Sequence, residues 1–291
     1  MMRHPPQRAQ TTQVLEWENG RRRHVLDDLV GEEPLEIRVN GTAVSVTMRT
    51  PGDDFELAAG FLFGEGIAPT GAEIRRIAYG CEPDGRTSGN VVDVTLKEGT
   101  PLDLDRLRRH FVAASSCGVC GKASIDAVSA RGLTRPRGDA LIGPERLCAL
   151  PDRLRPAQAL FGKTGGLHAA ALFDPDDRLV SVREDVGRHN AVDKIVGHAV
   201  LERRVPLSNH LLLVSGRGGF EIVQKALVAG VPVVASVSAP SSLAVRLARE
   251  YDLTLIGFLR GHRFVVYAGE RRIMRDDTPE CVTRGLAHHG S

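Results

Sequence analysis

LLLVSGRGGFEIVQKALVAGVPVVASVSAPSSLAVRLAREYDLTLIGF, Leu211 to Phe258, is the stretch whose reading decides the fold. Leu211 to Val214 is a continuous apolar run, as in a strand buried on both faces of a parallel sheet. A helix is expected from Phe220 to Val228, ending at Gly230, a residue that readily takes the left-handed C-terminal position. Val231 to Val237 reads as the next strand, Leu243 to Ala248 as the next helix, and Leu253 to Phe258 as the strand after it. The alternation predicts a parallel sheet with helices packed on it. The same character begins upstream, at Gly166. Leu167 to Phe173 and Leu179 to Val182 form a hairpin around Asp174-Pro175-Asp176-Asp177. Ala191, Val192, Ile195, Val196, Ala199 and Val200 then recur at helical spacing.

In open α/β sheets, ligands bind beyond the carboxyl ends of the strands. Three such ends follow one another here. SGRGG, Ser215 to Gly219, enters a helix; Ser215, Gly216 and Arg217 offer a hydroxyl, a bare backbone and a positive charge to an anion. SVSAPSS, Ser236 to Ser242, opens the next helix with several hydroxyls, Ser238 and Ser241 among them, although such serines are commonly no more than helix caps. FLRGHR, Phe258 to Arg263, carries Arg260, His262 and Arg263, and arginine is the favoured bidentate partner of phosphate. Together the three loops point to a phosphate-bearing ligand.

Two patterns fail on inspection. Gly162-Lys163-Thr164 ends like a P-loop, but the first glycine of that pattern would fall at Ala157. Gly216-Arg217-Gly218 begins like a dinucleotide fingerprint, but the third glycine would fall at Glu221. Asp185 to Asn190 is dense in polar groups just before a helix. His189 and Asp193, four residues apart, would share a helix face, as a cap and surface ion pair or as an acid–base cluster. His168 is open to a structural or a ligand-facing reading, with no metal set beside it.

Ahead of this region lies a smaller α+β unit in ββαββ order. Leu35 to Thr50 reads as a hairpin around Asn40-Gly41. Pro51-Gly52-Asp53-Asp54 opens a helix with Phe55, Ala58, Ala59 and Leu62 on its apolar face. Strands at Ile74 to Gly80 and Val91 to Leu96 complete it. The organisation expected is a disordered N-terminus at 1–20, the α+β unit at 21–114, a CxxC loop and connector at 115–165, the α/β unit at 166–275 and a tail at 276–291.

A formal charge of +2 over 291 residues gives no general pull toward nucleic acid or anionic membrane. No apolar run reaches the length of a membrane span. MMRHPPQRAQTTQ lacks the apolar core of a signal peptide. Five cysteines without a regular framework suit a reducing compartment, so the expected location is the cytoplasm.

Two of those cysteines, Cys117 and Cys120, stand in SSCGVCGKAS, Ser115 to Ser124. A helix is expected to begin just after them, and its N-terminal N–H groups together with Lys122 would lower a thiol pKa. The residues leave four readings open. A pair of small buried side chains is one. A zinc site is another, though one CxxC supplies only two of four ligands. A thioredoxin-like dithiol is a third, although Leu104 to Phe111 before it reads as a helix where that motif expects a strand. The fourth is a thiolate that carries sulfur as a persulfide.

Read together, SSCGVCGKAS, TGGLHAAAL (Thr164 to Leu172), REDVGRHNAVDK (Arg183 to Lys194), SGRGGFEIVQKA (Ser215 to Ala226), SAPSSLAV (Ser238 to Val245) and GFLFGEGI (Gly60 to Ile67) resemble the formate dehydrogenase accessory sulfurtransferase family, FdhD. The resemblance runs from about Leu35 to Val266. It implies a sulfur carrier that accepts sulfur from a cysteine desulfurase as a cysteine persulfide. The sulfur then passes to the molybdenum bis-molybdopterin guanine dinucleotide cofactor before that cofactor enters formate dehydrogenase. By the family pattern Cys117 is the persulfide carrier with Cys120 beside it. Phe258, Leu259, Arg260, Gly261, His262 and Arg263 would bind the guanine-nucleotide end, for which GDP is a partial mimic. The family fold resembles the three-layer cytidine-deaminase α/β fold, with homodimers expected. There is no HxE followed by PCxxC, so the zinc chemistry of true deaminases is not expected. Rival readings of the whole are a cofactor-binding chaperone without sulfur transfer and a CxxC dithiol oxidoreductase.

Overall fold

Asn19-Gly20 and Asn40-Gly41 turn the chain in the same way, each with both residues at positive φ (49° and 77°; 49° and 78°). That backbone suits the twist of a two-residue hairpin. The first turn joins β1 (Ala9–Glu18) to β2 (Arg21–Val30), a separate two-stranded sheet. The disorder expected for residues 1–20 is thereby corrected for the strand at Ala9–Glu18 and its turn. The computed structural model describes residues 6–81, 85–101, 133–138 and 141–274. The CxxC loop with Cys117 and Cys120, the helix expected at 104–111 and the tail at 276–291 lie outside the described residues.

The second turn joins β3 (Glu33–Val39) to β4 (Thr42–Arg49). With α1 (Asp54–Gly64), β5 (Ile74–Cys81) and β6 (Thr87–Leu96) they form a four-stranded sheet in the order β4-β3-β6-β5 under one helix. Leu35, Ile37, Val39, Val92 and Val94 point to one face and are buried against Leu57, Ala58 and Leu62 of α1.

The connector expected before the α/β unit contains α2 (Pro144–Leu154). Proline at its first position suits a helix start, and Leu147, Leu150 and Leu154 bury one stripe. A short helix, α3 (Ala159–Thr164), follows, and its Leu160 and Phe161 N–H groups donate to the Glu184 carboxylate. Then come β7 (His168–Phe173), β8 (Leu179–Asp185), α4 (Arg188–Leu201), β9 (Leu211–Val214), α5 (Phe220–Val228), β10 (Val233–Ser236), α6 (Ser242–Glu250), β11 (Thr254–Arg260) and β12 (Arg263–Ala268).

The strands form one six-stranded sheet in the order β12-β11-β10-β9-β7-β8. It is mixed rather than wholly parallel. Only β9, β10 and β11 run parallel; β7 is antiparallel to β9, and β12 to β11. Helices α4, α5 and α6 cover one face through Val192, Ile195, Ala226, Leu227, Ala244 and Leu247. The stripe of α2 covers the other, against Ala171, Phe173, Leu213 and Ile256.

The two sheet units meet where α1 crosses α4. A Cβ added to Gly60 would fall 1.9 Å from the Asp193 carbonyl oxygen, and one added to Gly197 1.8 Å from that of Glu56. Only glycine permits so close an approach. Beside the crossing, Lys194 is fully buried and its ammonium meets the Asp185 carboxylate at 2.8 Å and the Thr50 carbonyl at 2.9 Å. Asp185 also accepts from the N–H groups of Thr50 and Gly187 and from Asn190.

Candidate functional site

Strand direction gathers the candidate residues at one edge of the large sheet. The carboxyl ends of β9, β10 and β11 lead to Ser215, Ser236 and Arg260. Because β7 is antiparallel to β9, the start of β7, at His168, lies at that same edge. Because β8 is antiparallel to β7, so does the end of β8, which opens into α4. His168 opposes Asp185 in that pairing.

The first loop is tied to the sheet and open beyond it. Ser215 accepts at its Oγ from the Ala169 N–H at 2.8 Å and donates its own N–H to the Ala169 carbonyl. Gly216 is buried and Arg217 exposed. A Cβ on Gly216 would sit 3.2 Å from His168 Nδ1 and 3.6 Å from Arg188 Cβ. Three elements therefore converge around one glycine. The N-cap residues of α4 and α5, Gly187 and Gly219, provide no side-chain cap, so their first-turn N–H groups are left to other acceptors.

The second loop is more constrained. Ser236 is buried and donates to the Ser238 carbonyl at 2.7 Å. That carbonyl also accepts from the Phe258 N–H at 3.2 Å, which ties the loop to β11. Ser241 is the N-cap of α6 and accepts from the Ala244 N–H at 3.2 Å. Its hydroxyl performs the capping role that a serine-rich turn ordinarily has.

FLRGHR is a hairpin and not a loop. Phe258 to Arg260 end β11, Gly261 and His262 make the turn, and Arg263 begins β12. Phe264 to Tyr267 continue as an antiparallel edge strand that the sequence reading left unassigned. Leu259 is fully buried in the α2-side core and cannot face a ligand. Arg260, Gly261, His262 and Arg263 are exposed. Phe258 is held at φ 54°, a conformation unusual for a bulky residue. The guanidinium carbons of Arg260 and Arg263 lie 5.7 and 6.0 Å from the centre of its ring, within reach of a cation–π contact.

His189 and Asp193 do not pair with each other. His189 Nε2 lies 2.9 Å from Glu221, and Asp193 accepts from Lys225 at 2.6 Å. Burial pushes the Asp193 carboxyl above its ordinary range, despite the ammonium of Lys225 beside it. The hydrogen bond from His189 holds Glu221 below its usual value in spite of burial. His168 is pushed below the ordinary imidazole value by burial and then by the charges of Arg188 and His189. Of the two cysteines described, Cys81 is exposed, while Cys148 is half-buried on α2 with its thiol pushed up by burial. Among the described residues, no three His, Cys, Asp or Glu side chains are placed to hold a metal ion, and no helix is long and apolar enough to cross a membrane.

The sequence reading did not bring Arg188 to this edge and left His168 ambiguous. The signal available for His168 was its place at the start of a strand that would have to run against Leu211 to Val214.

Comparison with known proteins agrees with this architecture. The FdhD/NarQ family model matches residues 30–274. A protein of Streptomyces avermitilis named sulfur carrier protein FdhD is 57% identical over 251 residues, covering 85% of this chain and 89% of the relative. One of the same name from Mycobacterium tuberculosis is 54% identical over 254 residues, covering 85% and 92%. The crystal structure of a candidate formate dehydrogenase accessory protein from Desulfotalea psychrophila superposes with a TM-score of 0.71 at 26% identity, covering 91% of this chain and 99% of that one.

Proposed function

The chain belongs to the FdhD/NarQ family, and from that premise we propose that it is a persulfide sulfur carrier serving formate dehydrogenase. Cys117 takes sulfur from a cysteine desulfurase and delivers it to the molybdenum bis-molybdopterin guanine dinucleotide cofactor before that cofactor enters the dehydrogenase. The observation that carries this reading is the extent of the match, since residues 30–274 span both Cys117 and the whole loop edge.

The chemistry balances without an external oxidant. The Cys117 thiolate attacks the outer sulfur of the donor persulfide, and the donor cysteine leaves as thiolate. For delivery, the Cys120 thiolate attacks the inner sulfur of the Cys117 persulfide. A Cys117–Cys120 disulfide forms and hydrosulfide leaves toward the metal. A cellular dithiol then reduces the disulfide.

The cofactor is cargo, and its nucleotide arms account for the open edge. The exposed Phe258 hairpin, with Arg260, His262 and Arg263, suits the guanine-nucleotide end. Ser215, Gly216, Arg217 and Ser238 line the path toward the phosphates. Ser241 contributes through the helix start that it caps. We read the larger unit as cytidine-deaminase-like on its mixed sheet with helices on both faces, and the protein as a cytoplasmic homodimer.

The test is incubation with a cysteine desulfurase and cysteine, followed by peptide mass spectrometry. One added sulfur atom, about 32 Da, is expected on the Cys117 peptide. Cys117→Ala is expected to lose both the adduct and dehydrogenase maturation. Full maturation by Cys117→Ala would leave a cofactor-binding chaperone as the reading. Cys120→Ala is expected to load sulfur but deliver it slowly.

A further inference from the structure

Arg188 opens α4 at the loop edge, and its Nε is buried without a hydrogen-bond partner. Neither Arg188 nor Arg217 makes an ion pair among the described residues. The nearby carboxylates are engaged elsewhere, Asp185 by Lys194 and Asn190 and Glu221 by His189. His168, whose imidazole makes no hydrogen bond among the described residues, closes the third side. A Cβ added to Gly216 would meet the His168 Nδ1 at 3.2 Å and the Cβ of Arg188 at 3.6 Å, so both side chains flank that glycine. The edge thus gathers two guanidinium groups without an ion pair, one imidazole and the uncapped starts of α4 and α5, with Glu221 close enough to feel the charge of Arg188.

We propose that Arg188, His168 and Arg217, arranged around Gly216, form a second anion site that takes the diphosphate of a guanine nucleotide whose base lies at the Phe258 hairpin. The inference rests on the reading of a guanine-dinucleotide cofactor as cargo and deepens it by assigning its phosphates. Two planar guanidinium forks and two helix starts present more donors than a lone carboxylate can accept, and they match the oxygen-rich diphosphate. With its Nε unpartnered and no ion pair of its own among the described residues, the Arg188 guanidinium is left to a ligand at its remaining N–H groups. The place is right for a nucleotide laid along the edge. From β11 to β9 is two strand spacings, about 10 Å, and β7 lies one spacing further.

The experiment is calorimetric titration of the full chain with inorganic pyrophosphate, GDP and guanosine, on the wild type, Arg188→Gln, Arg217→Gln and Arg260→Gln. The wild type is expected to bind pyrophosphate, and GDP more tightly. Arg188→Gln and Arg217→Gln are each expected to weaken both by about tenfold or more. Arg260→Gln is expected to weaken GDP and leave pyrophosphate unchanged. Arg217 is exposed, so its variant tests the site even if Arg188→Gln unfolds. No pyrophosphate binding to the wild type, or unchanged binding to Arg217→Gln and a folded Arg188→Gln, overturns the anion site. GDP binding no tighter than pyrophosphate overturns the nucleotide assignment. None of these titrations involves Cys117. Normal sulfur loading without pyrophosphate binding therefore defeats this inference alone, and failed loading with intact pyrophosphate binding defeats only the carrier reading.

Discussion

REDVGRHNAVDK, Arg183 to Lys194, supplies charge to two very different regions. Arg183, Asp185, Asn190, Asp193 and Lys194 build the joint between the two sheet units. Arg183 reaches Glu56 at 2.6 Å, Asn190 donates to the Met48 carbonyl at 2.7 Å, and Lys194 bridges Asp185 and Thr50. Arg188, from the same stretch, stands at the open rim with a buried nitrogen unpaired. The joint is saturated and the rim is not. Buried polar groups are almost always paired, because an unpaired one costs free energy. The difference separates residues that hold the protein together from residues kept for something that binds. A density of polar residues in the sequence does not separate them.

The largest effect expected is at the joint. Lys194→Ala leaves the Asp185 carboxylate buried without its cation, and breaking such a pair costs about 3–5 kcal/mol. That is a large share of the roughly 5–15 kcal/mol that holds a typical protein folded. Urea denaturation should show the loss. A loss below about 1 kcal/mol, in the range of exposed ion pairs, would break the contrast between joint and rim. Next comes Gly197→Ala. Alanine is the better helix former by about 1 kcal/mol. Its Cβ, however, would fall 1.8 Å from the Glu56 carbonyl oxygen, so α1 has to move off α4. The overlap should outweigh the propensity and leave a net loss of about 1–3 kcal/mol, read from the same denaturation curves. An unchanged or stabilised variant would show that the helix crossing is slack.

Much of this was legible in the sequence, and the failures have local causes. The run from Leu211 to Phe258 gave the parallel core because its strands are buried on both faces and its first helix ends at Gly230. Asn40-Gly41 was recognised, while the equivalent Asn19-Gly20 was passed over. Its flanking strands show no buried face, with Trp17 at 68% and Leu26 at 76% exposure, so the usual alternation was missing. Helix α2 falls in a stretch expected as a connector or short helices, because Pro144 and Pro151 interrupt the periodicity although the first starts the helix. In the candidate site, spacing alone put His189 and Asp193 together. Their partners, Glu221 and Lys225, come from another helix, and no periodicity within α4 reports that choice. Arg188 was hidden for the same reason, because what marks it is the lack of a partner.

The smallest effect expected lies at the rim and concerns a proton. His168 faces Asp185 across the β7–β8 pairing, Arg188 and His189 from α4 and Arg217 from the next loop. Burial first, then the arginine and histidine charges, hold its folded pKa below the ordinary 6.5, against the weaker pull of Asp185. Between the folded and unfolded values the unfolded chain therefore binds more protons. Stability rises with pH across that window and falls as the solution is acidified through it. One such group contributes a slope of at most about 1.4 kcal/mol per pH unit. His210, also lowered by burial, adds a parallel slope, so the wild type alone does not isolate His168. His168→Gln should lose less stability than the wild type between pH 7.5 and 5.5 while keeping the His210 part. Saturating pyrophosphate should shrink the wild-type loss, because an anion at the proposed site favours the imidazolium. Parallel pH profiles for wild type and His168→Gln would mean that the rim charges do not act on this ring. Arg188 and Arg217 would then no longer count as neighbours of His168 in one shared anion site.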